Sequence, residues 1–528
     1  MYCYLYIILS VVLLFLIGVR FLGVHWSFIF SLIVPLLSCL IWVWHLLPAR
    51  AWMQILLYIE APALLCVGIL YARILYVIRP IPNKKYRVKL YLKNGSLVLD
   101  NIRRGISIIG AAGSGKTESV VFNLLQHLGK HSFCGVMHDY KHFELTEIAY
   151  PLFQQSGIPF YIISPDKIYH RVNPIAPRYL EHEESVNEVS RVLLENLLEM
   201  KESGATGTSR FFNDAVEGLI AGMILKLKED YPQYCTLPHM MALYQLLDTD
   251  SLINFLVSNR TSKAMADAFI SGRDSERQTA GVKSTLANAF KKISTKRLFA
   301  LLSADEVPLD VNNQDNPAIV SLVNNPLFET SYSPILATIL HTITKQMSVR
   351  HRLPSFVLME EAPTIRLLNM HRIPASLRSY DIATLYVLQD KIQNDLLYGD
   401  KASKAILSNL SYQFFGKAND PDTAKYYEQF FEIVKMKTTS ISKGEWMNPR
   451  TRITKSEKEV AKIRADRFFR LKPGEFVAFA DGREKRVRFK KHLIEKSLPP
   501  FHGKAVDVDA EFLRVYSEVR NIFTHFAG

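Results

Sequence analysis

Gly110-Ala-Ala-Gly-Ser-Gly-Lys-Thr117 constrains this chain more than any other stretch. It satisfies G-x-x-x-x-G-K-[ST] at each fixed position, and its flanks give the pattern meaning. The apolar run Ile106-Ser-Ile-Ile109 leads in, and a helix-compatible segment from Glu118 to Leu128 leads out. Strand, glycine loop and helix in that order belong to a parallel α/β sheet. Glycines let successive backbone N–H groups curl around a phosphate, and the helix N-terminus adds partial positive charge. Gly110, Ala111, Ala112, Gly113, Ser114, Gly115, Lys116 and Thr117 are thus expected to hold a nucleoside triphosphate. Lys116 would reach the β/γ-phosphates and the Thr117 hydroxyl would ligate Mg²⁺. An ordinary flexible turn would not need the lysine, the threonine and both flanks.

The remaining elements are arranged around that loop. Tyr86 to Leu99 alternates apolar and polar residues about Asn94-Gly95, which reads as a β-hairpin. Strand texture follows at Phe133–Met137 and Phe160–Ile163, then stops. From Glu181 to Ser303 the spacing is helical throughout. Strands resume at Ala318–Val323, Ser355–Met359, Ala383–Leu388, Tyr412–Phe415 and Glu475–Phe479. This predicts one nucleotide-binding sheet domain over residues 80–180 and 304–500, an inserted all-helical domain over 181–303, and a tail over 501–528. Asp139 and Lys141 fall at a strand's carboxyl end, where they either face the nucleotide or cap a turn.

Upstream, apolar runs cover residues 4–19, 27–47 and 52–78. A hydrocarbon core of ~30 Å needs about 20 helical residues, so residues 1–79 read as an anchor of two or three transmembrane helices. Arg79, Lys84, Lys85, Arg87 and Lys89 follow the third run, which would leave the C-terminal bulk in the cytoplasm. The expected arrangement is therefore a multi-pass membrane protein; the resemblance described below makes that membrane the bacterial inner membrane. A net charge of +14 over 528 residues calls for an anionic partner, nucleic acid or lipid. Five cysteines with no C-x-x-C exclude a disulfide framework and a zinc site.

Phe356-Val-Leu-Met359 delivers two carboxylates, Glu360 and Glu361, to the end of a strand. Glu360 is placed to ligate Mg²⁺, and Glu361 to serve as general base if it lies within hydrogen-bond reach of the attacking water. Two solvated acids at a strand end are the plain alternative. Gln389 ends the next strand and is positioned to sense a γ-phosphate. Arg378 precedes that strand; it is either a surface residue or an arginine offered across a subunit boundary. Lys291 and Lys292 in the helical block, and Arg483, Lys485, Arg486 and Arg488 near the C-terminus, are candidate contacts to a nucleic-acid backbone. Solvated faces produce such runs as well.

Apolar runs, the Gly110–Thr117 loop, helical block, Phe356–Glu361, Arg378 and Gln389 occur in an order that resembles the type IV secretion system coupling proteins, the TraG/TraD-like conjugative DNA-transfer ATPases. Asn173-Pro174, Arg210-Phe-Phe212, Asn419-Asp420 and Thr423-Ala424 are similar too, and the likeness covers residues 85–490. The resemblance implies a RecA-like P-loop domain with a helical insertion, assembled as a hexamer. It implies ATP and Mg²⁺ as cofactors, with Lys116 and Thr117 on nucleotide and metal, Glu361 on water, Gln389 on the γ-phosphate and Arg378 acting in trans. The partners it implies are single-stranded DNA bound without sequence preference, a relaxase, type IV secretion channel components and the inner membrane. Glu360 departs from the family's Asp, and Asp139-Tyr-Lys141-His from its Asp-Pro-Lys-Gly. An FtsK-like translocase is disfavoured by the long helical block, and an ABC-type transporter by the lack of an LSGGQ-like stretch. A nucleotide-binding docking protein that does not pump is the alternative from another class.

Overall fold

A computed structural model describes residues 65, 67–73, 84–198, 207–443, 451–501 and 506–526. The chain divides into two units, Met1–Asn83 and Lys84–Gly528. In the first, residues 65 and 67–73 are described and are helical. Residues 67–73 rise about 10 Å, a third of a ~30 Å hydrocarbon core. No helix among the described residues is long and apolar enough to cross a membrane. The runs 4–19 and 27–47 lie outside the described residues, as does 52–78 apart from those positions. The expectation of a multi-pass chain in the bacterial inner membrane is therefore overturned.

The second unit opens with a hairpin of β1 (Val88–Tyr91) and β2 (Ser96–Leu99). Gly95 has φ +82° and Leu92 N donates to Gly95 O at 3.1 Å, closing the turn at Asn94-Gly95. The strands that follow are β3 (Ile106–Ile109), β4 (Cys134–Asp139), β5 (Phe160–Ile163), β6 (Ile319–Val323), β7 (Ser355–Met359), β8 (Ile382–Leu388) and β9 (Tyr412–Phe415). β10 (Ile433–Lys443) and β11 (Thr451–Ala461) pair only with each other, and β12 (Glu475–Ala480) and β13 (Arg483–Arg488) return to the sheet. Its nine strands run in the order β13-β12-β9-β3-β8-β7-β4-β6-β5. From β9 across to β5 all pairs are parallel; β12 and β13 form an antiparallel edge.

Parallel strands are covered on both faces, so their sequences read as unbroken apolar runs with a hidden period of two. Ile106, Ile108, Phe356, Leu358, Leu385 and Val387 enter one core, packed under α1 (Phe122–Lys130) and α2 (Glu144–Phe153). Ile109, Val357, Met359, Tyr386 and Leu388 enter the other. Between β5 and β6 the chain leaves the sheet for α3 (Glu183–Leu197), α4 (Gly207–Asp230), α5 (Leu237–Leu246), α6 (Glu276–Lys291) and α7 (Lys296–Leu301). Side-chain caps start several of its helices: Thr236 accepts from His239 N and Thr295 from Leu298 N. α8 (Glu329–Met347) closes the second core, and α9 (Lys391–Tyr398) follows β8. The final stretch carries α10 (Val508–Phe526), whose buried Val515, Val519 and Ile522 repeat at helical spacing. α10 docks on the insertion: Phe512 packs on Phe299 with ring centroids 5.0 Å apart, and Glu518 meets His239 Nε2 at 2.9 Å.

β4 and β7 leave no room for a side chain at Gly135. A Cβ on Gly135 would sit 2.2 Å from Phe356 O and 2.8 Å from a Phe356 ring carbon. Gly135→Ala is expected to destabilise the protein by about 3 kcal/mol or more. The measurement is a fall in denaturation midpoint at unchanged slope; an unchanged midpoint would contradict this packing.

Candidate functional site

Register brings four strand ends together. Ile109 of β3 pairs with Leu388 of β8, Met359 of β7 with Tyr386 of β8, and His138 of β4 with Met359. The residues just beyond them are Gly110, Gln389, Glu360-Glu361 and Asp139–Lys141, all at the carboxyl edge of the sheet. That edge, where strand order reverses about the first strand, is where open α/β sheets place ligands.

The glycine loop is braced from outside itself. Ala111 N donates to Lys417 O at 2.7 Å, and Gly474 N donates to Ser114 O at 2.9 Å. Gly115 has φ +83°, and a Cβ there would lie 3.0 Å from Gly474 N, so glycine is required on both counts. Lys116 Nζ donates to Gly110 O at 2.5 Å, folding the side chain over the loop. Burial pulls the Lys116 ammonium below its usual range, against the pull of Glu361. Thr117 Oγ1 donates to Glu360 Oε1 at 3.2 Å, joining the loop to the carboxylate strand.

Glu360 and Glu361 are each 2% exposed. Gln389 Nε2 donates to Glu361 Oε1 at 3.1 Å. Lys141 Nζ lies 3.7 Å from Glu360 Oε1 and 3.6 Å from Glu361 Oε1. Burial draws Lys141 down, but the two carboxylates draw it up further, and the net shift is upward. Burial and then the charge of Asp139 push Glu360 up to about 7. Glu360 Oε2, Glu361 Oε2 and Ser114 Oγ are buried and have no hydrogen-bond partner. Two unpartnered carboxylate oxygens, one on the glutamate that Thr117 contacts, fit a divalent cation. No group of three or more His, Cys, Asp or Glu among the described residues could hold a metal by itself. The fit is therefore to Mg²⁺, which takes one or two carboxylates together with phosphate oxygens and water.

Asp139 proves to be a turn cap: its carboxylate accepts from Thr146 N, Thr146 Oγ1 and Lys141 N. It acts on Glu360 through its field. His138 is fully buried, with Nδ1 3.0 Å from Glu360 O, and burial lowers it to about 4, so it is neutral near pH 7. Neither His138 nor Gly474 is signalled as part of the site by the sequence; Lys472-Pro-Gly474 reads only as a turn.

Arg378 is exposed, in the turn Arg378–Tyr380 before β8. β8 spans roughly 23 Å, so Arg378 is at the opposite edge of the sheet from its own glycine loop. Lys291 is exposed, whereas Lys292 Nζ donates to Leu197 O at 2.6 Å at the end of α3. Arg483, Lys485, Arg486 and Arg488 are exposed on edge strand β13, where Arg486 and Arg488 share Glu475 at 3.1 and 3.9 Å.

Residues 73–493 match the family described as Type IV secretory system Conjugative DNA transfer. No curated protein matches the chain. Among solved structures it is similar to the unbound bacterial conjugative coupling protein TrwBdeltaN70, at 10% identity and TM-score 0.63, over 81% of this chain and 93% of that one. It is also similar to the plasmid coupling protein TrwB in complex with ADP and Mg²⁺ and with the ATP analogue ADPNP. Both are at 11% identity and TM-score 0.59, over 75% of this chain and 87% of theirs. At such identity these likenesses establish the fold, a RecA-like nucleotide-binding sheet with a helical domain.

The raised Glu360 has a direct consequence for stability. Its ordinary value is 4.5 and its folded value about 7, so the folded state holds the proton more tightly between those limits. The stability this group contributes is present at low pH and is lost as pH rises through about 7. Glu360→Gln removes the buried charge, so without Mg²⁺ it should stabilise the protein by about 2 kcal/mol at pH 8. The gain should fall to under half at pH 5.5 and vanish only below about 4.5, the group's ordinary value. Unfolding midpoints of both proteins at the two pH values test this; equal midpoints at pH 8 would refute it.

Proposed function

The chain belongs to the type IV secretory system conjugative DNA-transfer family, and from that premise we propose that it is an ATPase whose hydrolysis drives DNA towards the secretion channel. The observation that carries the reading is the convergence of Lys116, Thr117, Lys141 and Gln389 on two buried carboxylates with unpartnered oxygens. Lys116 and the backbone amides of Gly110 to Thr117 hold the phosphates of ATP. Thr117 and Glu360 hold Mg²⁺, which neutralises phosphate charge when bound. Glu361 takes the proton of the attacking water, and Gln389, already hydrogen-bonded to Glu361, reports on the γ-phosphate. Lys141, within 4 Å of both carboxylates, offers them counter-charge.

Arg378 is remote from its own loop, so it would serve only a neighbouring subunit. This favours a homo-oligomeric ring, a hexamer in the proposed assembly. The domain division follows the same reading: residues 80–180 and 304–500 bind nucleotide, 181–303 form the helical domain and 501–528 the tail. Exposed Lys291, Arg483, Lys485, Arg486 and Arg488 supply phosphate contacts for single-stranded DNA without base readout. Lys292 belongs with them only if its bond to Leu197 O is exchanged for a phosphate. A relaxase and channel components are the proposed protein partners.

ATP turnover of the full chain should rise with single-stranded DNA, and the stimulation should fall steeply with salt. Lys116→Ala should abolish nucleotide binding. Glu361→Gln should keep binding and lower kcat by about 10²–10⁴-fold. Arg378→Ala should lower kcat by about 10³–10⁵-fold. Mixing Arg378→Ala with Glu361→Gln chains should restore part of the activity if the arginine acts across subunits. Turnover indifferent to DNA at low salt would defeat the DNA-motor reading.

A further inference from the structure

Beyond Glu361, residues 364–367 are held on both sides by side chains from distant segments. On one side stands Asn196, at the end of α3 in the helical insertion. Its Nδ2 donates to Arg366 O at 2.9 Å and its Oδ1 accepts from Arg366 N at 3.1 Å. One amide side chain thus satisfies both backbone groups of a residue, as a neighbouring strand would. Glu195 Oε2 accepts from Arg366 Nε at 3.1 Å, in a pair with side chains only 12% and 10% exposed. On the other side is Tyr398, which ends α9, the helix entered just after Gln389. Its hydroxyl accepts from Leu367 N at 3.1 Å and donates to Ile365 O at 3.4 Å. Arg366 Nη1 donates to Leu397 O at 2.9 Å.

This held segment reaches back to Glu361. Thr364 N and Oγ1 both donate to Glu361 O, at 2.9 and 2.7 Å. Glu361 itself has φ +47°, in the left-handed region. For a residue with a Cβ that conformation costs about 1–3 kcal/mol and persists only where the surroundings over-determine it. The twist aims the carboxylate at Gln389 and Lys141. A cavity of about 320 Å³, lined in part by Asn196, Thr364 and Arg366, runs beside the segment. A loosened turn therefore has room to relax.

We propose that Asn196, with the Glu195–Arg366 pair, is a positioning element that holds Glu361 in its aimed conformation. Through it, the helical insertion sets the geometry of the hydrolytic site. This rests on the reading of Glu361 as the base that activates water.

The test uses the full chain with Asn196→Ala, Asn196→Gln and, as a control, Asn312→Ala. Asn312 is buried, where Asn196 is half-buried, and its amide donates to Met347 O at 2.9 Å away from the site. Asn196→Ala should lower kcat by about 10²-fold, the scale of a small misplacement of a reacting group. KM for ATP and Kd for ADP with Mg²⁺ should hold within about twofold, since ground-state binding is untouched. Asn196→Gln, which keeps both halves of the amide, should recover part of the loss. Asn312→Ala should lower the melting temperature and leave kcat in place. Equal kcat losses in Asn196→Ala and Asn312→Ala, or a loss tracked by Kd, would overturn the proposal. A wild type without ATP turnover would defeat the hydrolytic reading alone, and amide hydrogen exchange then decides. Faster exchange at Arg366 and Leu367 in Asn196→Ala, with loss of any ADP-dependent protection over 361–367, supports the clamp; unchanged exchange refutes it.

Discussion

Two adjacent carboxylates, Glu360 and Glu361, are removed from water at the centre of this protein. Much of the surrounding structure exists to let them stay there. Like charges in a poorly solvated pocket repel strongly, and isolation from water penalises each one separately. Lys116 and Lys141 bring counter-charge from two strand ends, and Thr117 and Gln389 bring donors. The compensation is incomplete. Glu360 is held near neutrality and Lys116 is drawn towards losing its proton, while two carboxylate oxygens stay unpartnered. A bound magnesium nucleotide would supply the missing cation to the acids and the missing anion to the lysine, so the unliganded site is organised around a charge pattern that its own residues leave unfinished.

Parallel strands make that concentration of charge possible. Because β3, β8, β7 and β4 run in the same direction in matched register, their ends present side chains from four separate parts of the chain along one edge. An antiparallel sheet would send alternate connections to the opposite edge and divide the set. The unbroken apolar sequences of the inner strands are the cost of this arrangement, since both faces need helices over them. One face is covered locally by α1 and α2. The other depends on α8 and on a helical block inserted between adjacent strands β5 and β6.

What was legible in the sequence was local. The glycine loop, the paired glutamates and Gln389 each sit at the end of an apolar run, so one-dimensional pattern placed them at one sheet edge. Asn94-Gly95 located a hairpin for the same reason. Contacts between remote segments were not legible. Gly474 braces Ser114, and Asn196 grips Arg366, without any motif that marks the pairing. Asp139 shows the intermediate case: its position at a strand end was readable, but only the geometry shows its carboxylate turned to Thr146. The ribbon of β10 and β11 escaped because Lys435-Met-Lys-Thr-Thr-Ser lacks the apolar alternation that marks a strand against a core. At the N-terminus, hydropathy argued for spans that no described helix carries.

α10 follows every strand of the sheet in sequence yet contributes Val515, Val519 and Ile522 to the core that includes Leu298, Phe299 and Leu301 of the insertion. During synthesis the insertion's helices leave the ribosome long before α10 does. Their apolar surface must wait, uncovered, while β6 to β13 are made. The helical block is thus early in the sequence and late in completion. Its final packing step waits on a helix made after every strand of the sheet.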